Sequence, residues 1–218
     1  MPMKWGGYLC DHCFADLPWN DQACQGCAKP LEDSWLINGL CASCRVHPPL
    51  LLLASACLYG RPLSNMIGAC KYQGNLAYGA FFAQLLMYAY WSRPRRSKVD
   101  LLIPVPMHRN RIRQRGYNQA HVIAKAWSRL SHIPVAESAC VSLYDRRPQV
   151  GMDKVSRQAN VRAGFYADTQ VAGMSVIIVD DVITTGSTMQ AVAEALFIAG
   201  AASVSGWAVC RQLVGSIR

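Results

Sequence analysis

Apolar residues along this chain alternate between continuous runs and helical spacing. Short continuous runs, typical of buried strands, lie at residues 50–59, 100–106, 176–179 and 203–210. Apolar residues at helical spacing occupy residues 63–70, 120–130 and 189–197. The alternation predicts an α/β fold with a parallel sheet flanked by helices. With 218 residues, 52% of them hydrophobic, the chain is long enough to bury such a core.

The longest apolar segment, residues 76–91, has the composition of a membrane span but not its length. It holds sixteen residues, including Gln84, whereas a helix needs about 20 apolar residues to cross a bilayer. We therefore predict a buried helix and no integral membrane segment. Four basic residues follow, which keeps association with a membrane surface open: Arg93, Arg95, Arg96 and Lys98. Residues 1–9 lack the continuous apolar run of a signal peptide.

Residues 176–188 combine an aliphatic strand, two carboxylates and a run of hydroxyl residues around one glycine. Ligands of parallel α/β sheets bind beyond the carboxyl ends of the strands, where the next helix presents unpaired N–H groups. A phosphate fits there, because Gly186 lets the backbone close on the anion. Hydroxyl donors surround this glycine: Thr184, Thr185, Ser187 and Thr188. Asp180 and Asp181 would repel a phosphate, so a ribose diol and a divalent cation are their expected partners. The pattern predicts a site for ribose 5-phosphate.

This order of residue types resembles the signature of the type I phosphoribosyltransferases. In that family the carboxylates bind the ribose hydroxyls of phosphoribosyl pyrophosphate (PRPP), and the Thr-Thr-Gly loop holds its 5-phosphate. The resemblance implies the type I phosphoribosyltransferase fold, with Mg²⁺ and arginines around the pyrophosphate. Asp180 and Asp181 would then be the catalytic residues, orienting the ribose through an oxocarbenium-like transition state. The alternative is a Val/Ile-rich core strand that happens to end in acids.

Positive charge is concentrated in one region of the chain. The net charge is +9, and residues 93–162 hold fifteen Lys/Arg against four acidic residues. Four arginines occupy every second position within this region: Arg109, Arg111, Arg113 and Arg115. In an extended loop these side chains would all point to one side, and their repulsion would be relieved by pyrophosphate or a nucleic-acid backbone. A solvated basic loop is the alternative.

A second basic stretch, residues 144–162, shows little periodicity and has Gly151 as its expected hinge. In type I phosphoribosyltransferases a mobile loop in this region closes over pyrophosphate. The resemblance gives this stretch, including Arg157, the same role. Closure would exclude water and so protect PRPP from hydrolysis. An ordinary surface loop is the alternative.

Six of the ten cysteines form three Cys-x-x-Cys pairs within the first 44 residues. This spacing is typical of metal ligands in a reducing compartment rather than of a secreted disulfide scaffold. Four of them are predicted to hold one structural Zn²⁺ through sulfur: Cys24, Cys27, Cys41 and Cys44. Cys10 and Cys13 remain candidate further ligands, with a supporting role, a disulfide or a vestigial pair as alternatives.

Composition changes sharply after the stiff segment His47-Pro48-Pro49. The change predicts two domains, a Cys-rich zinc ribbon at residues 1–48 and a phosphoribosyltransferase-like domain at residues 49–218. The first is too short to fold on apolar burial alone, so the metal would supply what its core lacks.

Further motifs narrow the resemblance to the ComF family, which includes the GntX-like proteins and places a zinc-ribbon arm before a phosphoribosyltransferase domain. These motifs are Pro-Val-Pro at 104–106, Arg-Gly-Tyr-Asn-Gln at 115–119, Gln-Val-Gly at 149–151, and Arg157, Asn160 and Arg162 of an R-x-x-N-x-R pattern. One departure is at the front, where family members usually carry four Cys-x-x-Cys pairs and this sequence has three.

The ComF family is associated with the movement of incoming single-stranded DNA during natural transformation in bacteria. The resemblance implies a cytoplasmic protein of DNA uptake that handles single-stranded DNA and carries a PRPP pocket. Other competence proteins, such as a DNA-uptake helicase, would be its partners. The second hypothesis is an active phosphoribosyltransferase that transfers phosphoribose from PRPP to a nucleobase-like acceptor. The sequence contains no readable element that would recognise the acceptor.

Overall fold

The computed structural model describes residues 9–31, 35–93, 98–143 and 164–213. Its strands are β1 Leu52–Leu58, β2 Leu101–Pro104, β3 Cys140–Ser142, β4 Phe165–Ala167, β5 Ser175–Ile183 and β6 Ser203–Arg211. Four of them form a parallel sheet in the order β1-β6-β5-β2, which confirms the predicted α/β fold. Strands β3 and β4 form a separate antiparallel pair, which the apolar pattern did not predict.

The described residues form seven α-helices. They are α1 Asp11–Ala15, α2 Ala42–Val46, α3 Leu63–Tyr72, α4 Tyr78–Ser92, α5 Arg109–Arg115, α6 Gln119–Ser131 and α7 Ser187–Ile198. Helix α6 begins where the Asn118 side chain accepts a hydrogen bond from the N–H of Ala120 at 3.0 Å, a common capping interaction of asparagine. Among the helices described, none has both the length and the apolar composition needed to cross a membrane.

Helices cover both faces of the sheet. On one face α3, α4 and α6 bury a core around Phe81, Phe82 and Trp127, all of them fully buried. Helix α7 and the β3–β4 pair pack on the other face, around Val192 and Leu196. Strands β5 and β6 lie in the middle of the sheet between these layers, which explains why their sequences are nearly continuous apolar runs.

Residues 109–115 form helix α5, so the extended arginine loop expected from the sequence is wrong. The helix begins at His108, whose Nδ1 accepts a hydrogen bond from the N–H of Asn110 at 3.3 Å. It ends at Gly116, whose φ of +88° is the left-handed conformation that commonly terminates helices. Because α5 buries no residue, it carries no apolar periodicity that could have revealed it.

The N-terminal segment is hydrogen bonded to strand β1. Asn20 Nδ2 donates to the carbonyl of Ala28 at 2.9 Å and to Ser55 Oγ at 2.8 Å. The N–H of Leu53 donates to the carbonyl of Gln25 at 2.8 Å. These contacts hold the turn that contains Cys24 and Cys27 against β1, an edge strand of the sheet. The domain boundary after residue 48 stays a prediction.

Candidate functional site

A cavity of about 420 Å³ opens at the carboxyl ends of the parallel strands. This is the position at which parallel α/β sheets bind ligands. The cavity brings together six of the residues that sequence analysis assigned to PRPP: Asp180, Asp181, Thr184, Thr188, Arg111 and Arg115. The sequence signature and the first basic stretch therefore meet at one place.

The two carboxylates lie within strand β5 rather than after it, because the strand continues to Ile183. Asp180 is half-buried, and its Oδ1 accepts the N–H of Asp181 at 2.9 Å. The Asp181 residue is only 4% exposed, and its Oδ2 lies 2.9 Å from the Nζ of Lys71 at the end of α3. Apart from this ion pair, Asp181 Oδ2 has no hydrogen-bonding partner among the described residues. Lys71 therefore neutralises the carboxylate inside the cavity, a role beyond the usual favourable position of a lysine at a helix end.

The loop between β5 and α7 has the geometry of an anion site. Gly186 precedes α7 with a φ of +85°, a conformation that favours glycine. Thr185 Oγ1 lies 2.9 Å from Ser187 Oγ and accepts the N–H of Ser187 at 3.3 Å. Within the described part of the chain, the backbone N–H groups of Thr184, Thr185 and Gly186 have no acceptor. Unpaired donors of this kind at a helix start are suited to a phosphate.

Helix α5 divides its four arginines into two pairs. Residues four apart share a face of a helix, whereas residues two apart do not. Arg111 and Arg115 line the cavity, and Arg115 donates to Gln119 Oε1 at 2.7 Å. Arg109 and Arg113 are exposed and do not line the cavity.

The cavity has two further borders. Tyr59, after β1, and Tyr72, at the end of α3, contribute aromatic rings, and the Arg115 guanidinium lies 5.5 Å from the centre of the Tyr72 ring. Ser142 and Gly164 line the cavity from the β3–β4 pair. The second basic stretch, with Arg157, lies outside the described residues, and its role at the pyrophosphate stays a prediction.

Four cysteines form a compact cluster, here called the quartet: Cys24, Cys27, Cys41 and Cys44. Their Sγ atoms all lie within 4.8 Å of one another. A tetrahedral zinc site with Zn–S bonds of about 2.3 Å needs sulfur atoms about 3.8 Å apart, so the quartet requires only slight contraction. It could bind a metal, and its composition and enclosure are consistent with structural zinc.

The surroundings of the quartet fit a metal held by thiolates. Burial raises the pKa of a thiol, but for Cys24 the N–H groups of Cys41, Cys27 and Gly26 outweigh burial and lower the pKa to about 7. Burial raises the pKa of both Cys27 and Cys44. Metal binding would displace the protons that these thiols retain. Gly26 is required sterically, since a Cβ there would lie 2.9 Å from Cys44 Sγ.

Cys10 and Cys13 lie apart from the quartet. Both are exposed in and before α1, where Cys10 Sγ accepts the N–H of Cys13 at 3.5 Å. Among the residues described, the quartet is the one group of three or more potential ligands that could hold a metal. A metal-binding role for this outlying pair stays a prediction.

Arg211, the last residue of β6, is only 3% exposed and was not predicted as a site residue. Its side chain lies between the quartet and the start of the Thr-Thr-Gly loop, with hydrogen bonds to Cys27 and Thr184. The one signal in the sequence was a charged residue directly after an apolar strand, which does not identify a partner.

The chain is similar to known proteins over most of its length. Residues 120–216 match the family of the phosphoribosyl transferase domain. The DNA utilization protein YhgH of Escherichia coli (strain K12) is 29% identical over 217 residues, covering 98% of this chain and 95% of that protein. Competence protein F of Haemophilus influenzae is 28% identical, covering 93% of this chain and 84% of its own length. Competence protein ComFC of Bacillus subtilis is 26% identical, covering 87% of this chain and 78% of its own length.

Among solved structures, the glutamine PRPP amidotransferase of B. subtilis is similar over 60% of this chain and 25% of that one. The identity is 22% and the TM-score 0.40, which is too distant a likeness for any inference about function.

Proposed function

We infer that the chain belongs to the ComF family, because it has a phosphoribosyl transferase domain and is similar to YhgH, competence protein F and ComFC. From this membership we propose that it acts in DNA handling through a cavity that binds PRPP. The cavity at the carboxyl ends of the strands is the observation that carries the proposal. It combines carboxylates, an anion-binding loop and arginines, and PRPP presents a diol, a phosphate and a pyrophosphate to match them.

Each part of PRPP has a matching group in the cavity or in the adjoining loop between β5 and α7, whose residues Thr185, Gly186 and Ser187 do not line the cavity. The 5-phosphate would accept the free N–H groups of Thr184, Thr185 and Gly186. Asp180 and Asp181 would accept hydrogen bonds from the ribose hydroxyls, with Lys71 limiting the local negative charge. Arg111 and Arg115 would hold the pyrophosphate by paired hydrogen bonds. Mg²⁺ bound with PRPP would neutralise part of the pyrophosphate charge.

Calorimetry with PRPP and Mg²⁺ tests this pocket. We expect the wild-type chain to bind and Asp180→Asn to bind about tenfold more weakly, since this variant can no longer offer the ribose hydroxyls a charged acceptor. Asp16→Asn, in an exposed position next to α1, is the matched control and should bind as the wild type does. Absence of binding to the wild-type chain would rule out the PRPP pocket.

The outward face of α5 supports the DNA part of the proposal. Arg109 and Arg113 are exposed and lie on a different face from the pair that lines the cavity. A phosphate backbone could contact them while PRPP occupies the cavity. We therefore assign Arg111 and Arg115 to pyrophosphate, and Arg109 and Arg113 to single-stranded DNA.

Two double variants separate these ligands. Arg109→Ala/Arg113→Ala should weaken binding of a single-stranded oligonucleotide. The logarithm of its binding constant should also fall less steeply with the logarithm of the salt concentration, by about 0.7 for each phosphate that is no longer neutralised. PRPP binding should be unchanged in this variant. Arg111→Ala/Arg115→Ala should show the reverse pattern. If both variants bound both ligands equally poorly, the division of the helix into two surfaces would be refuted.

Phosphoribosyl transfer is the alternative function. The rings of Tyr59 and Tyr72 in the cavity favour it, because aromatic side chains stack on flat acceptors such as nucleobases. The test is product analysis after incubation with PRPP, Mg²⁺ and a panel of bases. A nucleoside monophosphate formed by the wild type but not by Asp180→Asn would establish turnover. Consumption of PRPP with no such product for any base would argue against transfer.

A further inference from the structure

Arg211 is a buried cation that bridges the quartet and the cavity. Its Nε donates to the carbonyl of Cys27 at 2.9 Å. Its Nη1 donates to the carbonyls of Ile183 and Gln212, both at 3.0 Å, and to the carbonyl of Thr184. Within the described part of the chain, the hydrogen-bond acceptors of Arg211 are these four carbonyl oxygens, and none is a carboxylate.

On the cavity side, these bonds fix the direction of the loop. A trans peptide is planar, and its C=O and N–H point in opposite directions. When the guanidinium holds the carbonyl of Ile183, the N–H of Thr184 must point away from it, and holding the carbonyl of Thr184 directs the N–H of Thr185 likewise. These are two of the donors that lack an acceptor among the described residues. The carbonyl of Ile183 also accepts the N–H of Gln212 at 2.9 Å, so Arg211 shares the control of the first donor and holds the second through the carbonyl of Thr184. Arg211 therefore helps to set the orientation of the donors proposed to bind the 5-phosphate.

On the other side, the same guanidinium fixes a residue of the quartet. Cys27 supplies one of the four sulfur atoms, and its carbonyl accepts from Arg211. Four thiolates around a divalent cation keep a net negative charge, which a buried guanidinium nearby would partly offset. Contraction of the quartet around a metal would fix Cys27 and, through Arg211, the carbonyls at the start of the loop.

We propose that Arg211 is a positioning residue that couples metal binding at the quartet to anion binding at the Thr-Thr-Gly loop. The coupling rests on the proposed function, because it takes the loop to be a 5-phosphate site. The metal then has a second role besides stabilising the N-terminal segment, since it prepares the loop donors for their ligand. Loss of metal would therefore weaken ligand binding at the cavity, although none of the four metal ligands lines the cavity.

Thermodynamic linkage provides the test, because a metal that strengthens ligand binding must itself be bound more tightly when the ligand is present. Zinc transfer from the zinc-loaded chain to a colorimetric chelator would be measured with and without ribose 5-phosphate. In the wild type we expect the ligand to raise zinc affinity about fivefold. In Arg211→Lys the charge remains, but a single ammonium cannot hold Cys27 and Thr184 together, so the factor should fall close to one.

Two matched controls accompany Arg211→Lys. Arg129→Lys makes the same substitution at an exposed position near the end of α6, and Cys13→Ser removes a thiol outside the quartet. Both should keep the fivefold factor. A wild-type chain that binds ribose 5-phosphate with no change in zinc affinity would overturn the coupling. The same conclusion would follow if Arg211→Lys, folded as judged by circular dichroism, kept the full factor.

Hydrogen exchange separates failure of the coupling from failure of the proposed function. If ribose 5-phosphate does not bind at all, the 5-phosphate assignment fails. Exchange of two hydrogen-bonded amides beside the loop still reports on the coupling, because the N–H of Gln190 donates to the carbonyl of Gly186 and the N–H of Gln212 to the carbonyl of Ile183. Both would be followed in the wild-type chain with zinc bound and after its removal. We expect about tenfold faster exchange there without zinc, and no change in the amides of α6. Equal exchange in the two states would refute the coupling, and this result does not require Arg211→Lys to fold.

Discussion

The quartet and the cavity at the strand ends differ in how enclosed they are and in which parts of the chain supply their residues. The quartet is closed, since three of its cysteines are buried and the partly buried Leu31, Leu36 and Leu40 pack against them. Its ligands come from one short turn and the start of α2, which are close in sequence. The cavity is open and polar, and its lining residues come from β5, from the helices α3, α5, α6 and α7, and from the ends of the other five strands.

This difference separates a structural site from a ligand site. A structural metal site has all its positions filled by protein, and the metal replaces the apolar core that the segment lacks. A ligand site must leave donors and acceptors free, as the cavity does with the N–H groups at the start of α7. Damage to the quartet should therefore reduce folding first, whereas damage to the cavity should reduce binding first.

The largest effect is expected from Cys44→Ser. It removes one of four thiolates and with it most of a zinc-binding free energy on the order of 10 kcal/mol. Zinc content, measured by mass spectrometry of the metal in purified protein, should fall from one equivalent to near zero. Amides of residues 24–44 should lose protection from hydrogen exchange, while those of β5 and β6 keep theirs because their apolar core remains.

Cys13→Ser is the control for that substitution, since Cys13 is exposed and lies outside the quartet. It should keep its zinc and its exchange pattern. If Cys13→Ser lost zinc as completely as Cys44→Ser, the four-cysteine assignment would be wrong and the outlying pair would have to be a ligand.

An intermediate effect is expected from Lys71→Met. The substitution keeps the apolar stem but leaves the nearly buried carboxylate of Asp181 without its cation, which should lower the free energy of unfolding by about 3 kcal/mol. Urea denaturation measures this loss. Adding Asp181→Asn removes the stranded charge, so the double variant should be more stable than Lys71→Met alone.

The pair Lys125 and Glu137 provides the matched comparison. Its Nζ and Oε1 also lie 2.9 Å apart, but both side chains are about half exposed. Lys125→Met should therefore lower the free energy of unfolding by less than about 1 kcal/mol. Equal losses from Lys71→Met and Lys125→Met would mean that burial at the cavity does not strengthen the dependence of Asp181 on its partner.

Local patterns predicted much of the fold and the quartet. Strands β1, β5 and β6 and helices α6 and α7 follow from apolar periodicity, and the quartet follows from Cys-x-x-Cys spacing. The prediction for residues 109–115 was wrong because the side chains of α5 are exposed and show no apolar periodicity. Arginines at alternate positions then indicated an extended chain. The end signals of α5 were present in the sequence, with His108 before the helix and Gly116 after it.

Contacts between segments distant in sequence could not be predicted from local patterns. Lys71 meets Asp181 across 110 positions because α3 ends beside β5, and no local pattern records that meeting. Arg211 meets Cys27 across 184 positions, where the quartet docks on the sheet. The motifs could propose part of the cavity lining, but the positions of Lys71 and Arg211 beside it required the fold.

The smallest effect is expected from Gly186→Ala, which compares the loop with an ordinary turn. The φ of +85° makes any side chain there unfavourable by about 1 kcal/mol, and a Cβ would lie 3.0 Å from Leu53 Cδ1.

Gly173→Ala is the matched control. Gly173 also has a positive φ, +74°, but nothing lies within 4 Å of the new atom. Urea denaturation should thus give similar losses for both, because the Leu53 methyl group can move. Only Gly186→Ala should weaken ribose 5-phosphate binding in calorimetry, since it disturbs the N–H groups that face the anion. Equal binding by the two variants would show that stability, and not loop geometry, is what glycine provides at position 186.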